Sequence, residues 1–282
     1  PAVKESALWL KSQGFEVDIV PVDEKGFVDV EALASLIRSD TTLVSVMAVN
    51  NEIGSIQPIE AISELLADKP TISFHVDAVQ ALAKIPTEKY LTDRVDFATF
   101  SSHKFHGVKG VGFVYIKFGK KITPLLTGGG QERDYRSTTE NVAGIAATAK
   151  ALRLAMEKLD IFISKTGQMK SVIRQALLDY PDILIFSDEE DFAPHILTFG
   201  IKGVRGEVIV HAFEDYDIFI STTSACSSKA GKPAGTLIAM GLDKDKAQSA
   251  VRLSLDPEND MSQVEQFLTK LKLIYNQTRK VR

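Results

Sequence analysis

The 282-residue sequence has one cysteine, Cys226, which excludes an intrachain disulfide and leaves either an inert buried thiol or a reactive one. No apolar run approaches the roughly 20 residues that a membrane-spanning helix needs. The opening PAVKESALWL lacks the basic flank and apolar centre of a signal peptide. Positive charge is not concentrated anywhere: the net charge is −4, the pI is near 5.8, and Lys and Arg are scattered. A surface that tracks nucleic-acid phosphates is therefore not expected, and neither is a membrane partner. Internal repeats, low-complexity tracts and linker-like stretches are missing too. What is present is 44% apolar residues, enough for a sizeable core. A globular, cytoplasmic protein is the expectation.

Along the chain, residues 2 to 13 read as a helix ended by Gly14, and FEVDIVPV, 15 to 22, reads as a strand. Asp29 is a plausible N-cap for VEALASLIR, whose Val30, Leu33, Leu36 and Ile37 share one helical face. TTLVSVMAV (41–49), TISFHV (71–76), VDFATF (95–100) and GVGFVYIKF (110–118) are short β-rich runs, with a helix from Pro58 to Ala67 between the first two. Strands alternating with helices imply a mostly parallel sheet with helices on its faces. After residue 142 the pattern becomes a long helical stretch. It is followed by short strands at DILIF, HILTF, DIFIS and AVRLSL, helices at GEVIVHAFE and PAGTLIAMG, and a closing helix from Met261 to about Lys280. The expected division is a large α/β domain over 1–154 and a smaller α+β domain over 155–282, sharing an interface.

In open α/β sheets, ligands bind beyond the carboxyl ends of the strands. Three such ends carry chemistry here. TTLVSVMAV runs into NNEIG, with Asn50 and Asn51. TISFHV ends in Asp77, with Gln80 one turn later, and VDFATF ends in SSHK, bringing Ser101, Ser102, His103 and Lys104. Singly, each has a plain structural reading: a turn at Asn50-Asn51, a helix cap at Asp77, loop hydroxyls, a solvated lysine. Together they supply an amide, a carboxylate, hydroxyls and a lysine at neighbouring strand ends, the inventory of a pyridoxal phosphate (PLP) site. The lysine bonds the cofactor aldehyde, the carboxylate faces the pyridine nitrogen, and hydroxyls and loop amides hold the phosphate. Gly107 and Gly110 are expected to allow close backbone approach. His103 and His106 have no supporting cysteine or carboxylate cluster, so no metal is assigned.

VNNEIGSIQPI, HVDAVQA, SSHKFHGVKGVG, GGGQERDYRSTTENV, STTSACSSK and AVRLSL, in this order, closely resemble the NifS/IscS-type cysteine desulfurases, of the class V aminotransferase group. The resemblance implies the aspartate aminotransferase-like PLP-dependent transferase fold, with the cofactor in the large domain. Lys104 would carry the cofactor covalently, Asp77 would pair with the pyridine nitrogen, and Gln80 would approach the phenolic oxygen. Asn51 would lie near cofactor and substrate carboxylate, while Ser101 and His103 would be phosphate ligands. Thr139 would reach the phosphate bound by a second copy, implying a homodimer. Glycine is usual where Thr138 stands, and threonine tolerates positive φ poorly. Arg252 would grip the substrate carboxylate. In AVRLSL it alternates with Val251, Leu253 and Leu255, although a surface salt bridge is its plain alternative.

Cys226 lies in SACSSKAGKPAG, a segment of small and polar residues that favours exposure, and resembles the long-loop form of the family's sulfur carrier. The implied reaction converts L-cysteine to L-alanine with a persulfide on Cys226. An iron-sulfur scaffold or a thiolation enzyme would be the acceptor. Attack requires a thiolate, for which His103 is one candidate activator. The family carries about a hundred further residues ahead of Pro1, among them a phosphate loop and a ring-stacking histidine, so this chain alone is expected to hold PLP weakly. Alternatives are a selenocysteine lyase or another class V PLP aminotransferase, or a non-catalytic sulfur-relay scaffold.

Overall fold

A computed structural model describes residues 2–223 and 235–280. In chain order the helices are α1 (Ala2–Ser12), α2 (Val30–Leu36), α3 (Ile59–Leu65), α4 (Val142–Glu157), α5 (Leu159–Leu177), α6 (Gly206–Glu214), α7 (Gly235–Ala239), α8 (Lys244–Gln248) and α9 (Met261–Lys280). The strands are β1 (Leu43–Met47), β2 (Ser73–Asp77), β3 (Phe97–Ser101), β4 (Gly112–Ile116), β5 (Ile183–Ile185), β6 (Ile196–Ile201), β7 (Ser221–Thr222) and β8 (Ala250–Ser254).

Two compact units form, one of residues 40–48 and 59–159, the other of residues 1–39, 49–58 and 160–282. This spatial grouping differs from a single cut near residue 155, because segments 1–39 and 49–58 fold with the carboxyl-terminal part. The tethers are local and polar. Gln57 accepts from Val28 N–H at 2.8 Å and donates to Gly26 O at 2.9 Å, and Ser55 pairs with Phe192 in an isolated bridge. Such contacts leave no periodic trace in sequence.

The first unit holds the sheet β1-β2-β3-β4, with β1, β2 and β3 parallel and β4 antiparallel to β3. Alternation sets its two faces. Val44, Val46, Phe74, Val76, Ala98 and Phe100 are buried, whereas Ser45, His75, Asp77, Thr99 and Ser101 on the other face are half-exposed. At the amino side of β3, Asp96 is 2% exposed yet charged. Burial alone would raise its carboxyl. The Phe74 N–H at 2.9 Å, Arg94 at 2.8 Å and Lys120 at 3.2 Å outweigh that cost and hold it below the usual range. Arg94 also donates to the carbonyls of Leu66, Lys69 and Ile72.

The second unit packs helices α5, α6 and α9 on the antiparallel sheet β5-β6-β8-β7. Every residue of β6 is buried, so this strand has a core on both faces. One face is apolar, with Leu197, Phe199 and Ile201 against Phe213 and Phe267, whose rings stack at 4.9 Å. The other face receives the turn that follows β1: Gly54, at φ +87°, leaves so little room that a Cβ there would lie 3.0 Å from Ile196.

Three expectations change. FEVDIVPV forms no strand beyond a single bridge, Val22 to Val28. Pro21 has no N–H to give a ladder, and Phe15 and Ile19 are 60% and 71% exposed with no core to enter. The strand expected in DIFIS shrinks to Ser221–Thr222, because Asp217 turns left-handed at φ 57° just before it. The long helical stretch is two helices separated at Lys158, whose ψ of 9° leaves the helical basin. Replacing Arg94 with Met strips the buried Asp96 of its best partner and three carbonyls of their donor. We expect a loss of roughly 3 kcal/mol in urea unfolding, with the midpoint shifted and the slope unchanged.

Candidate active site

The first unit brings together the cofactor-side candidates at the carboxyl ends of β2 and β3. Asp77 ends β2, opposite Met47 on one side and Thr99 on the other. Its Oδ1 accepts the Val79 N–H at 3.1 Å, but the chain then runs through turns, with Ala83 left-handed at φ 59°. The carboxylate therefore steers a turn and caps no helix, and its second oxygen has no partner among the described residues. Gln80 lies three residues on, half-exposed.

Strand β3 passes from Ser101 into one 3₁₀ turn, Ser102–Phe105, that carries His103 and Lys104. Buried Ser102 pins that turn. Its hydroxyl meets Thr148 Oγ1 of α4 at 2.9 Å, and Thr148 donates onward to Gly144 O, so Ser102 is the donor of the pair. Ser102 N–H donates to Val111 O and its carbonyl accepts from Gly107 N–H, both at 3.0 Å. His106 closes the turn in the left-handed conformation, φ 64°. Phe105 points into the core at 3% exposure, while Lys104 is half-exposed and His103 exposed. Among the described residues no hydrogen bond or ion pair engages the Lys104 amine, the Ser101 hydroxyl or the Gln80 amide. A buried clamp thus presents an uncommitted lysine.

The glycines act differently from the expectation. Gly107 is required by packing inside the loop, since a Cβ there would sit 2.0 Å from Ser102 Oγ; Gly110 is required by its φ of +80°, with open space around it. Thr138 adopts no positive φ, so the segment accommodates threonine there by staying in the ordinary basin. Left-handed residues fall earlier, at Glu132, Arg133 and Asp134. Thr139 is exposed.

The second unit holds the substrate-side candidates. Asn50 is buried, and its Oδ1 accepts from Glu52 N–H at 2.8 Å and Ile53 N–H at 3.1 Å, which makes it a turn former. The Asn51 side chain makes no hydrogen bond among the described residues, while its carbonyl accepts from Arg252 Nη1 at 2.7 Å. Arg252 Nε donates to Ser254 Oγ at 3.1 Å. Arg252 is half-buried on β8 beside Thr198, with Val251 and Leu253 on the buried face. Glu52 was not evident in sequence as a participant. Thr198 Oγ1 donates to its carbonyl at 2.5 Å and Thr236 N–H to its carboxylate at 3.3 Å. Burial raises the Glu52 carboxyl above its ordinary value against the pull of Thr236 and Arg252. The signal was there in NNEIG, where an acid stands directly after the two asparagines. Cys226 lies outside the described residues.

The donor set of the first unit fits PLP. A carboxylate with one oxygen to spare, an amine, a hydroxyl and an amide stand half-exposed at adjacent parallel strand ends, and the last three make no hydrogen bond among the described residues.

Comparison with known proteins agrees. The Aminotransferase class-V family matches residues 3–267, and the chain belongs to this family of PLP-dependent enzymes. Within it, the NifS/IcsS protein homolog of Lactobacillus delbrueckii subsp. bulgaricus is 50% identical over 273 residues, covering 96% of this chain and 71% of the relative. Cysteine desulfurase IscS of Clostridium botulinum is 39% identical over 284 residues, covering 99% and 71%. A solved NifS-like protein superposes with a TM-score of 0.89 at 39% identity, over 98% of this chain and 72% of its own. SspA in complex with cysteine superposes with a TM-score of 0.74 at 27% identity, over 90% and 70%. The chain is a NifS/IscS-type cysteine desulfurase homologue.

Gly107→Ala forces Ser102 off Thr148. We expect a destabilisation of about 1–3 kcal/mol by denaturant unfolding, together with weaker PLP binding in an absorbance titration.

Proposed function

We propose that this chain removes sulfur from L-cysteine, giving L-alanine and a persulfide on Cys226. The observation that carries the reading is the uncommitted Lys104 amine on a buried clamp one strand away from Asp77. When bound, PLP supplies an electron sink for the substrate α-carbon. Lys104 is its covalent anchor. Asp77 presents a carboxylate to the pyridine nitrogen, Gln80 an amide to the phenolic oxygen, and Ser101 with His103 the donors for the phosphate. Thr139 reaches the phosphate held by a second copy in a homodimer. Residues 1–154 are the proposed cofactor-binding part and 155–282 the part bearing the sulfur carrier.

Arg252 receives the substrate carboxylate. A planar guanidinium accommodates two parallel bonds to a carboxylate, and its anchorage on Asn51 O and Ser254 fixes its plane beforehand. Asn51 adds an amide from the same turn. The Cys226 thiolate then forms a sulfur-sulfur bond as the substrate carbon-sulfur bond breaks. One sulfur atom moves, and the protons of the cysteine thiol and α-carbon end on alanine. The cysteine held by SspA supports this substrate class. The persulfide is passed to an acceptor protein in the cytoplasm, an iron-sulfur scaffold or a thiolation enzyme.

Incubating the PLP-loaded protein with L-cysteine should add one sulfur mass to the peptide bearing Cys226 and release alanine. Cys226→Ala should abolish both. Unchanged turnover in that variant would overturn the proposal in favour of transamination. Arg252→Lys should raise KM for cysteine about tenfold, since a point charge cannot make the paired contact.

A further inference from the structure

On the half-exposed face of the parallel sheet, two residues before Asp77, His75 spans three strands. Its Nδ1 is 2.7 Å from Ser45 Oγ on β1 and its Nε2 is 3.1 Å from Thr99 Oγ1 on β3. Both contacts are ring nitrogen to hydroxyl. A neutral imidazole has one donor and one acceptor nitrogen, and a hydroxyl serves either, so the ring is fully satisfied without charge in either tautomer. Side chains two apart on a strand point to the same face, so Asp77 is the next group along. The other residues that β1 and β3 present to this face around it, Met47 and Phe97, do not titrate, nor do Ser45 and Thr99. Among the described residues, the charge that acts on His75 is that of Asp77. Burial pushes the imidazole below its ordinary value, and Asp77 pulls the other way.

We propose that His75 is a positioning residue for the cofactor, a neutral crosspiece that fixes the strand ends around Asp77 and leaves that carboxylate's charge wholly available to the pyridine nitrogen. This rests on the reading of Asp77 given above. A cationic imidazole two residues along the same strand face would draw on the same negative charge and weaken its hold on a protonated ring nitrogen. A crosspiece of the same shape that cannot ionise keeps the geometry and loses the competition. The role is thus electrostatic and geometric at once, and the two parts separate by substitution.

The test measures PLP affinity by absorbance titration across the acid range for the wild type, His75→Gln, His75→Leu and Asp77→Asn, with circular dichroism confirming fold. Wild-type affinity should fall on the acid side as His75 takes up a proton. His75→Gln, which retains hydrogen bonding without a titratable ring, should bind within about threefold of wild type at neutral pH and lose that part of the acid decline. His75→Leu should bind about tenfold more weakly at every pH, since both hydroxyls lose their partner. Nitrogen-15 spectra of the ring should show the neutral form at neutral pH. Superimposable pH profiles for wild type and His75→Gln, or a charged ring at neutral pH, would overturn the proposal. Asp77→Asn separates the two levels: if it leaves affinity unchanged, the reading of Asp77 fails; if it weakens binding while the His75 variants do not, the role of His75 alone fails.

Discussion

The parallel pairing of β1, β2 and β3 is the constraint on which the rest depends. Because Val46 lies opposite Val76, and Val76 opposite Ala98, the three strands end side by side, and whatever follows each strand is delivered to one edge. Asp77 and the Ser101–Lys104 segment are neighbours for that reason and no other. A slip of one residue would turn Asp77 into the buried face and Val76 out of it. The buried row Val44, Val46, Phe74, Val76, Ala98 and Phe100 makes such a slip costly, so the apolar face holds the chemistry of the polar one in place.

The two edges of this sheet are treated in opposite ways. At the amino side, Asp96 is surrounded by an N–H, a guanidinium and an ammonium, and Arg94 gives three more of its donors to carbonyls. Three donors thus converge on one oxygen of the buried carboxylate and offset the cost of burying its charge. At the carboxyl side, Lys104, Ser101 and Gln80 are left without partners among the described residues, although Ser102 directly beside them is buried and bonded on three sides. Rigid backbone with uncommitted side chains is what a ligand site needs, because the ordering is complete before the ligand arrives. The second unit repeats the principle. Asn50, Thr198 and Ser187 bind the backbone of the turn at residues 50–53, and Arg252 docks on the carbonyl of Asn51.

Much of this was legible in the sequence because it depends on period and position. Alternation in SFHVD and FATFS marks strands, a carboxylate and a lysine at their ends mark a site, and AVRLSL places Arg252 opposite the apolar side. The family motifs then assign roles that period alone cannot. The rest was hidden for physical reasons. The grouping of residues 1–39 and 49–58 with the carboxyl-terminal part rests on the side chain of Gln57 and a single bridge at Ser55, long-range contacts with no local pattern. FEVDIVPV has the composition of a strand but, among the described residues, pairs only through the bridge Val22–Val28. His75 was read as one more member of an apolar run; its partners Ser45 and Thr99 lie 30 and 24 residues away, and only the register brings them to it. The packing need for Gly107 was hidden as well, because the atom a Cβ would meet is the hydroxyl of Ser102.

The central claim is that the clamp around Ser102 exists to hold Lys104 as the covalent anchor of the cofactor. Borohydride reduction of the PLP-loaded protein, followed by peptide mapping, tests it most directly. The account predicts a pyridoxyl group on the peptide containing Lys104 and its disappearance in Lys104→Ala. A label fixed on a different lysine, or none in the loaded wild type, would contradict it.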